Sequence, residues 1–164
     1  MKEIKFRGFH KCENGNTIII INGEPVRGKW VYGYYFISER DIEDGFVWRD
    51  IPQIQQRYGD HYQYFDVIPE TIGQYTGLKD KNGKEIYESD VISLDCYSYE
   101  EPEDEYYGEV VYSNHLSSFC LRNCEQSDGW IPICELGGSY TTITTLCGNI
   151  HDNPELLKEV TDEA

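Results

Sequence analysis

The run Ile72-Gly73-Gln74-Tyr75-Thr76-Gly77-Leu78-Lys79-Asp80-Lys81-Asn82-Gly83-Lys84-Glu85-Ile86-Tyr87-Glu88 decides the fold class. Ile72 to Tyr75 reads as a strand, and Glu85 to Leu94 reads as another, because aromatic and β-branched residues fit a pleated, half-buried surface. Between them, Leu78 to Lys84 reads as a loop whose Asn82-Gly83 pair suits positive φ. Tyr75, Leu78, Ile86 and Tyr87 are candidates to fill one core. Asp80 and Asp90 are short carboxylates placed to accept nearby backbone N–H groups. Turn glycines and core aromatics account for this run without any chemistry.

Outward from it the same grammar recurs. Asn14-Gly15 and Asn22-Gly23 suit turns with positive φ. Asn22-Gly23 lies between Ile18–Ile21 and Trp30–Phe36, which predicts a hairpin with Glu24–Lys29 lengthening its connection. Ile51–Arg57 reads either as strand or as a short helix with Pro52 in its first turn. Val110–Tyr112, Phe119–Leu121 and Thr141–Leu146 read as further strands. Asp152-Asn153-Pro154-Glu155 reads as a helix start, with Leu156, Leu157 and Val160 as its apolar face. The expected fold is therefore mainly β. It consists of an N-terminal β-rich region over 1–70 and a unit over 71–164, barrel-like or sandwich-like, with one short C-terminal helix.

Composition agrees. With 14 Tyr, 6 Phe and 3 Trp against a single Met in 164 residues, the chain favours strands. Its net charge of -16 sets an unfavourable field for a phosphate backbone or an anionic bilayer, so the expectation is no direct nucleic acid and no membrane. No apolar run approaches the roughly 20 residues of a spanning helix. The start, Met1-Lys2-Glu3-Ile4-Lys5, lacks the apolar stretch of a secretory signal, so a cytoplasmic protein with free thiols is expected.

Candidate chemistry is sparse. His115, Cys120, Cys124 and Cys134 supply four zinc-type ligands, but there is no CxxC knuckle and Phe119-Cys120-Leu121 reads as buried strand. No nucleophile elbow and no phosphate-cradling loop is present. The reading therefore assigns no catalytic residue, no cofactor and no metal, and leans against an enzyme. Between Glu85 and Leu121 there are ten acids and no Lys or Arg. At its centre, Glu100-Glu101-Pro102-Glu103-Asp104-Glu105 reads as an exposed, mobile loop. With Tyr106 and Tyr107, the five acids Glu100, Glu101, Glu103, Asp104 and Glu105 form the candidate partner-binding surface, and the partner class they suit is a basic protein.

The central run closely resembles the signature of the YopX family, found in phages, prophages and their bacterial hosts. Lys5-Phe6-Arg7-Gly8, Trp30-Val31-Tyr32-Gly33 and Gly148-Asn149-Ile150-His151-Asp152-Asn153-Pro154-Glu155-Leu156-Leu157 agree with that family in order. Two departures stand out. Glu88-Ser89-Asp90 replaces the usual Glu-Gly-Asp, implying either negative φ at Ser89 or tolerated strain, and Cys12–Gly28 is longer than the usual linker. The resemblance implies a β-rich cytosolic accessory protein that self-associates, with no reaction, cofactor or catalytic residue common to the family. The reading that follows is a homo-oligomer acting through protein–protein contacts. The alternative is a small hydrolase or ligand-binding domain with a site between the two β units.

Overall fold

The computed structural model describes residues 4–41, 48–97, 102–122, 131–133 and 141–156. Its strands are β1 (Phe6–Lys11), β2 (Thr17–Ile21), β3 (Glu24–Asp41), β4 (Trp48–Tyr58), β5 (His61–Asp66), β6 (Gly73–Lys79), β7 (Glu85–Tyr87), β8 (Asp90–Tyr97), β9 (Pro102–Ser113), β10 (Ser118–Arg122), β11 (Ile131–Pro132) and β12 (Thr141–Asn149). The expected mainly β class holds. The chain divides into two units, Met1–Tyr75 and Thr76–Ala164.

In the first unit the strand order is β5-β4-β3-β1, with β2 also on β3 and the start of β6 on β1. The long β3 changes partners along its length. Glu24–Gly28 pair with β2, Gly28–Gly33 with β1 and Tyr34–Asp41 with β4, all antiparallel. Gly33 marks the last change, and a Cβ there would stand 2.0 Å from the Gln55 carbonyl oxygen. Val31, Ile54, Phe65 and Val67 form the core, with Phe6, Tyr35 and Ile72 packed on it. Each such side chain removed from water contributes about 1.5–3 kcal/mol. The adjoining single turn of 3-10 helix at Pro69–Thr71 presents the Thr71 hydroxyl, which accepts the Phe9 N–H at 2.8 Å and donates to the Ile68 carbonyl at 2.7 Å.

Two local expectations change in this unit and one open alternative is resolved. The β2–β3 connection is only Asn22-Gly23, at φ 52° and 83°, since Ile21 pairs directly with Glu24. Glu24–Lys29 belongs to the strand, so the long Cys12–Gly28 segment is mostly a hairpin. Asn14-Gly15 takes no positive φ; Gly15 is required by close approach, as a Cβ would lie 2.0 Å from the Gly28 carbonyl oxygen. Ile51–Arg57 is strand, its Pro52 opposite Ile37.

The second unit holds a five-stranded sheet of order β11-β10-β9-β8-β12. Ile86, Ile92, Val110, Phe119, Leu121 and Ile133 are its core, with Leu78 and Leu146 against it. Of the expected core of Tyr75, Leu78, Ile86 and Tyr87, Leu78 and Ile86 belong to this cluster; Tyr87 is buried without being one of its members, and Tyr75 ends the first unit, where its N–H donates to the Lys5 carbonyl at 2.8 Å. The expected strand over Glu85–Leu94 is broken at Glu88-Ser89, which divides β7 from β8.

The acidic segment also departs from its expected form. Pro102–Glu105 are part of β9, with Asp104 opposite Cys96 and Glu105 opposite Asp95. Ladder hydrogen bonds from a neighbouring strand outweigh like-charge repulsion along this stretch of backbone. Glu100 and Glu101 lie outside the described residues. The expected C-terminal helix falls largely on 157–164, also outside them; Asp152–Leu156 close turns through Asn153 N–H to Asn149 O and Leu156 N–H to Asn153 O.

Gly33→Ala should lower the urea midpoint by an amount equivalent to roughly 1–3 kcal/mol, as overpacking does. A backbone oxygen cannot rotate away as a side chain can. An unchanged midpoint would mean that β4 does not need to approach β3 this closely.

Candidate functional site

The signature run folds into a set of backbone clamps. At its centre, Asp80 opens the turn into β7. Its backbone N–H donates to Lys84 O and its carbonyl accepts the Gly83 N–H, both at 2.9 Å, with Gly83 at φ 80°. The side chain, only 6% exposed, does more. Oδ1 accepts the N–H groups of Asn82 at 2.8 Å and Lys84 at 2.9 Å, while Oδ2 accepts the Leu146 N–H of β12 at 3.2 Å. Burial pulls this carboxyl upward, but the N–H groups of Lys84, Leu146 and Asn82 outweigh that, and it stays below the usual carboxylate range. A sixty-six-residue loop is thus closed on one side chain.

The Glu88-Ser89 break is a second clamp. Ser89 takes φ 67°, so of the two alternatives the strained one is realised. Its N–H donates to Val110 O at 2.7 Å and its carbonyl accepts the Ile150 N–H at 3.0 Å. Asp90, 1% exposed, accepts the Tyr87 N–H at 2.7 Å. The C-terminal anchor is capped in the same manner. Asn149 Oδ1 accepts the N–H groups of His151 and Asp152, and Asn149 Nδ2 donates to Asp152 Oδ2 at 2.7 Å. Asp80 and Asp90 accept backbone N–H groups as their short carboxylates suggest. Asn149 was legible only as part of the family anchor.

Of the other singled-out residues, His115 sits in the exposed β9–β10 turn while Cys120 is fully buried, its thiol directed at Ser118 O at 3.6 Å. Cys124 and Cys134 lie outside the described residues, and no group of three or more metal-type ligands converges among those described. Cys12, Cys120 and Cys147 are free thiols. Of the partner-binding residues, Glu103, Asp104, Glu105, Tyr106 and Tyr107 share β9, and Tyr107 is 36% exposed. No helix of the described residues is long and apolar enough to cross a membrane.

Sequence reading missed where the charge lies. The first unit carries nine Lys and Arg against eleven Asp and Glu, and the second carries five against nineteen. Almost all the excess is in Thr76–Ala164. Also unforeseen is the Arg40–Asp66 pair, bidentate at 2.7 and 2.9 Å, with Gln53 Nε2 donating to the same carboxylate. Arg40 holds the Asp66 carboxyl below its usual range.

Asp80→Asn should remove a pH-dependent part of stability. Because the folded carboxyl is depressed, its contribution is present above the unfolded value near about 4 and fades as pH falls through the folded one. The difference in unfolding midpoint between the two proteins should be largest at neutral pH, roughly 1–3 kcal/mol, and shrink in acid. A constant difference would contradict this account. Ser89→Gly should raise the midpoint by up to about 1 kcal/mol by relieving left-handed strain, and Ser89→Val should lower it.

The profile of the YopX protein family matches residues 25–158. A crystal structure of protein EF1440 from Enterococcus faecalis is similar at 22% identity, covering 96% of this chain and 99% of its own, with a TM-score of 0.43. No curated protein matches. The profile takes in the signature, the Trp30–Gly33 stretch and the C-terminal anchor, and the chain belongs to the YopX family.

Proposed function

We propose that this protein is a non-enzymatic accessory protein of a phage or prophage, working in the bacterial cytoplasm through protein–protein contacts. The single observation behind this is the charge division: nineteen acids against five bases in Thr76–Ala164. A surface of that density steers a basic protein toward it and repels acidic ones. The signature side chains that would be candidates for chemistry are engaged in holding turns, which supports a scaffold reading. Glu100, Glu101, Glu103, Asp104, Glu105, Tyr106 and Tyr107 are the proposed contact. The terminal strands of both sheet orders, β5 and β12 among them, offer edges that a second copy would cover, which supports a homo-oligomer.

Capture from host lysate tests the partner. Wild type should retain a basic protein that elutes with salt, and changing Glu100, Glu101, Glu103, Asp104 and Glu105 to Gln should weaken retention several-fold. An identical set of retained proteins for both would defeat the acidic-surface reading. Sedimentation at micromolar concentration tests the assembly, and a pure monomer would refute it.

A further inference from the structure

The strand register sorts the first unit's side chains onto two faces of β3, β4 and β5. Tyr34 lies opposite Gln55 and Gln55 opposite Tyr64; Arg40 lies opposite Arg49; Arg57 lies opposite Tyr62. Because paired residues point the same way and neighbours alternate, these share one face with Tyr32 and Phe36. The other face carries Tyr35, Ile54 and Phe65 of the core and, farther along, Glu39 opposite Asp50. Arg40, Arg49 and Arg57 are thus on one face, and Glu39 and Asp50 are on the other.

The first face is exposed and aromatic. Tyr32, Tyr34, Tyr62 and Tyr64 are 38%, 59%, 51% and 53% exposed. Phe36 lies edge-on beneath Tyr64 with ring centroids 5.7 Å apart, and Gln55 Nε2 donates to the Tyr64 hydroxyl at 3.0 Å, so that ring is held in place. Lys5 Nζ lies 6.0 Å from the Tyr32 ring centre. Asp66 is the one acid on this face among the described residues of Tyr32–Asp41, Trp48–Tyr58 and His61–Asp66, and Arg40 engages it with both nitrogens. Arg49 and Arg57 are exposed.

We propose that this face of β3–β5 binds single-stranded nucleic acid. Rings two residues apart on a strand stand about 7 Å apart, and rows two strands apart stand about 10 Å apart, distances over which successive unstacked bases can be spread. Every base has a π-face to lay on a tyrosine, and the arginines meet the phosphates. An acidic protein would be served by the arginines but would leave four exposed rings without a role. Most of the negative sum over the whole chain belongs to Thr76–Ala164, and the first unit itself carries nine Lys and Arg against eleven Asp and Glu.

Fluorescence anisotropy with labelled oligo-dT and oligo-U of about 12 nucleotides tests it in full-length protein, within the usual site size for such platforms. Saturable binding at low salt is expected, and the stronger of the two probes identifies DNA or RNA as the natural class. The double variant Tyr34→Ser, Tyr64→Ser should weaken binding by about tenfold or more. Arg49→Gln with Arg57→Gln should flatten the salt dependence by about 1.4 in log–log slope. Both pairs are surface positions, and circular dichroism checks that they fold. Absence of binding to either probe at low salt overturns the proposal. So does binding that the tyrosine variant leaves intact, or full competition by poly-glutamate, which would mark an acidic-protein surface. Gln substitutions in the acidic segment should leave oligonucleotide binding unchanged, so this result stands or falls apart from the lysate capture.

Discussion

The Asp80 carboxylate accepts backbone N–H groups from three places, and two of them lie in its own turn while the third lies on β12. A side chain so placed replaces water for donors that the turn would otherwise bury unsatisfied, and leaving such donors bare costs about 1–3 kcal/mol each. It also ties the local geometry of a five-residue turn to the position of a strand far along the chain. The turn cannot relax without releasing Leu146, and β12 cannot shift without unsatisfying the carboxylate. The Ser89 clamp works similarly through the backbone, receiving Ile150 and donating to Val110. Left-handed φ at a serine is tolerated because its N–H is bonded to β9 and its carbonyl to the turn that follows β12, which over-determines the conformation.

The four stretches that carry the resemblance, three of them within the matched residues 25–158, fall into two pairs. Lys5–Gly8 and Trp30–Gly33 are neighbours across the β1–β3 ladder, Phe6 opposite Gly33 and Gly8 opposite Val31. Asp80 of the signature bonds Leu146, two residues before the Gly148–Leu157 stretch, and Ser89, the residue after the signature, bonds Ile150 within that stretch. Each pair joins segments distant in sequence within one unit. What the anchors share is therefore a long-range contact that fixes register, and a one-residue slip in either ladder would turn every buried side chain outward.

That distinction explains what could be read in advance. Local chemistry was legible: Asn22-Gly23 and Asn82-Gly83 mark turns, β-branched and aromatic runs mark strands, and Asp80 and Asp90 are short acceptors beside turns. Pairing was not. Nothing in Glu24–Lys29 alone says strand, with a Pro and a Gly among its residues; β2 on one stretch and β1 on the next make it so. The acids of Pro102–Glu105 read as loop for the same reason, since the β8 ladder that straightens them is invisible from their own composition. Ser89 could be recognised as a question only against the family's usual glycine, and the sign of its φ came from its two distant partners.

The two faces of β3–β5 belong to the same class of hidden information, because alternation assigns a side chain to a face only after the register is known. Arg40 opposite Arg49, and Glu39 opposite Asp50, are like charges at directly opposed positions, an arrangement that destabilises a sheet by a few tenths of a kcal/mol to about 1 kcal/mol per pair. Shifting either strand by one residue would bring Arg and acid together and remove the cost, yet it would also bring Ile54 out of the core, where it is fully buried between Tyr35 and Phe65 in the ladder. Burial of Ile54 and Phe65 outweighs the charge repulsion by several-fold on area alone. The core thus dictates the register, and the register leaves Arg40, Arg49 and Arg57 on one surface with Tyr34, Tyr62, Tyr64 and Asp66, while Glu39 and Asp50 go to the other. Packing alone explains why the strands pair as they do; it does not require arginine at both positions 40 and 49, where an acid at position 49 would relieve the repulsion without touching the core.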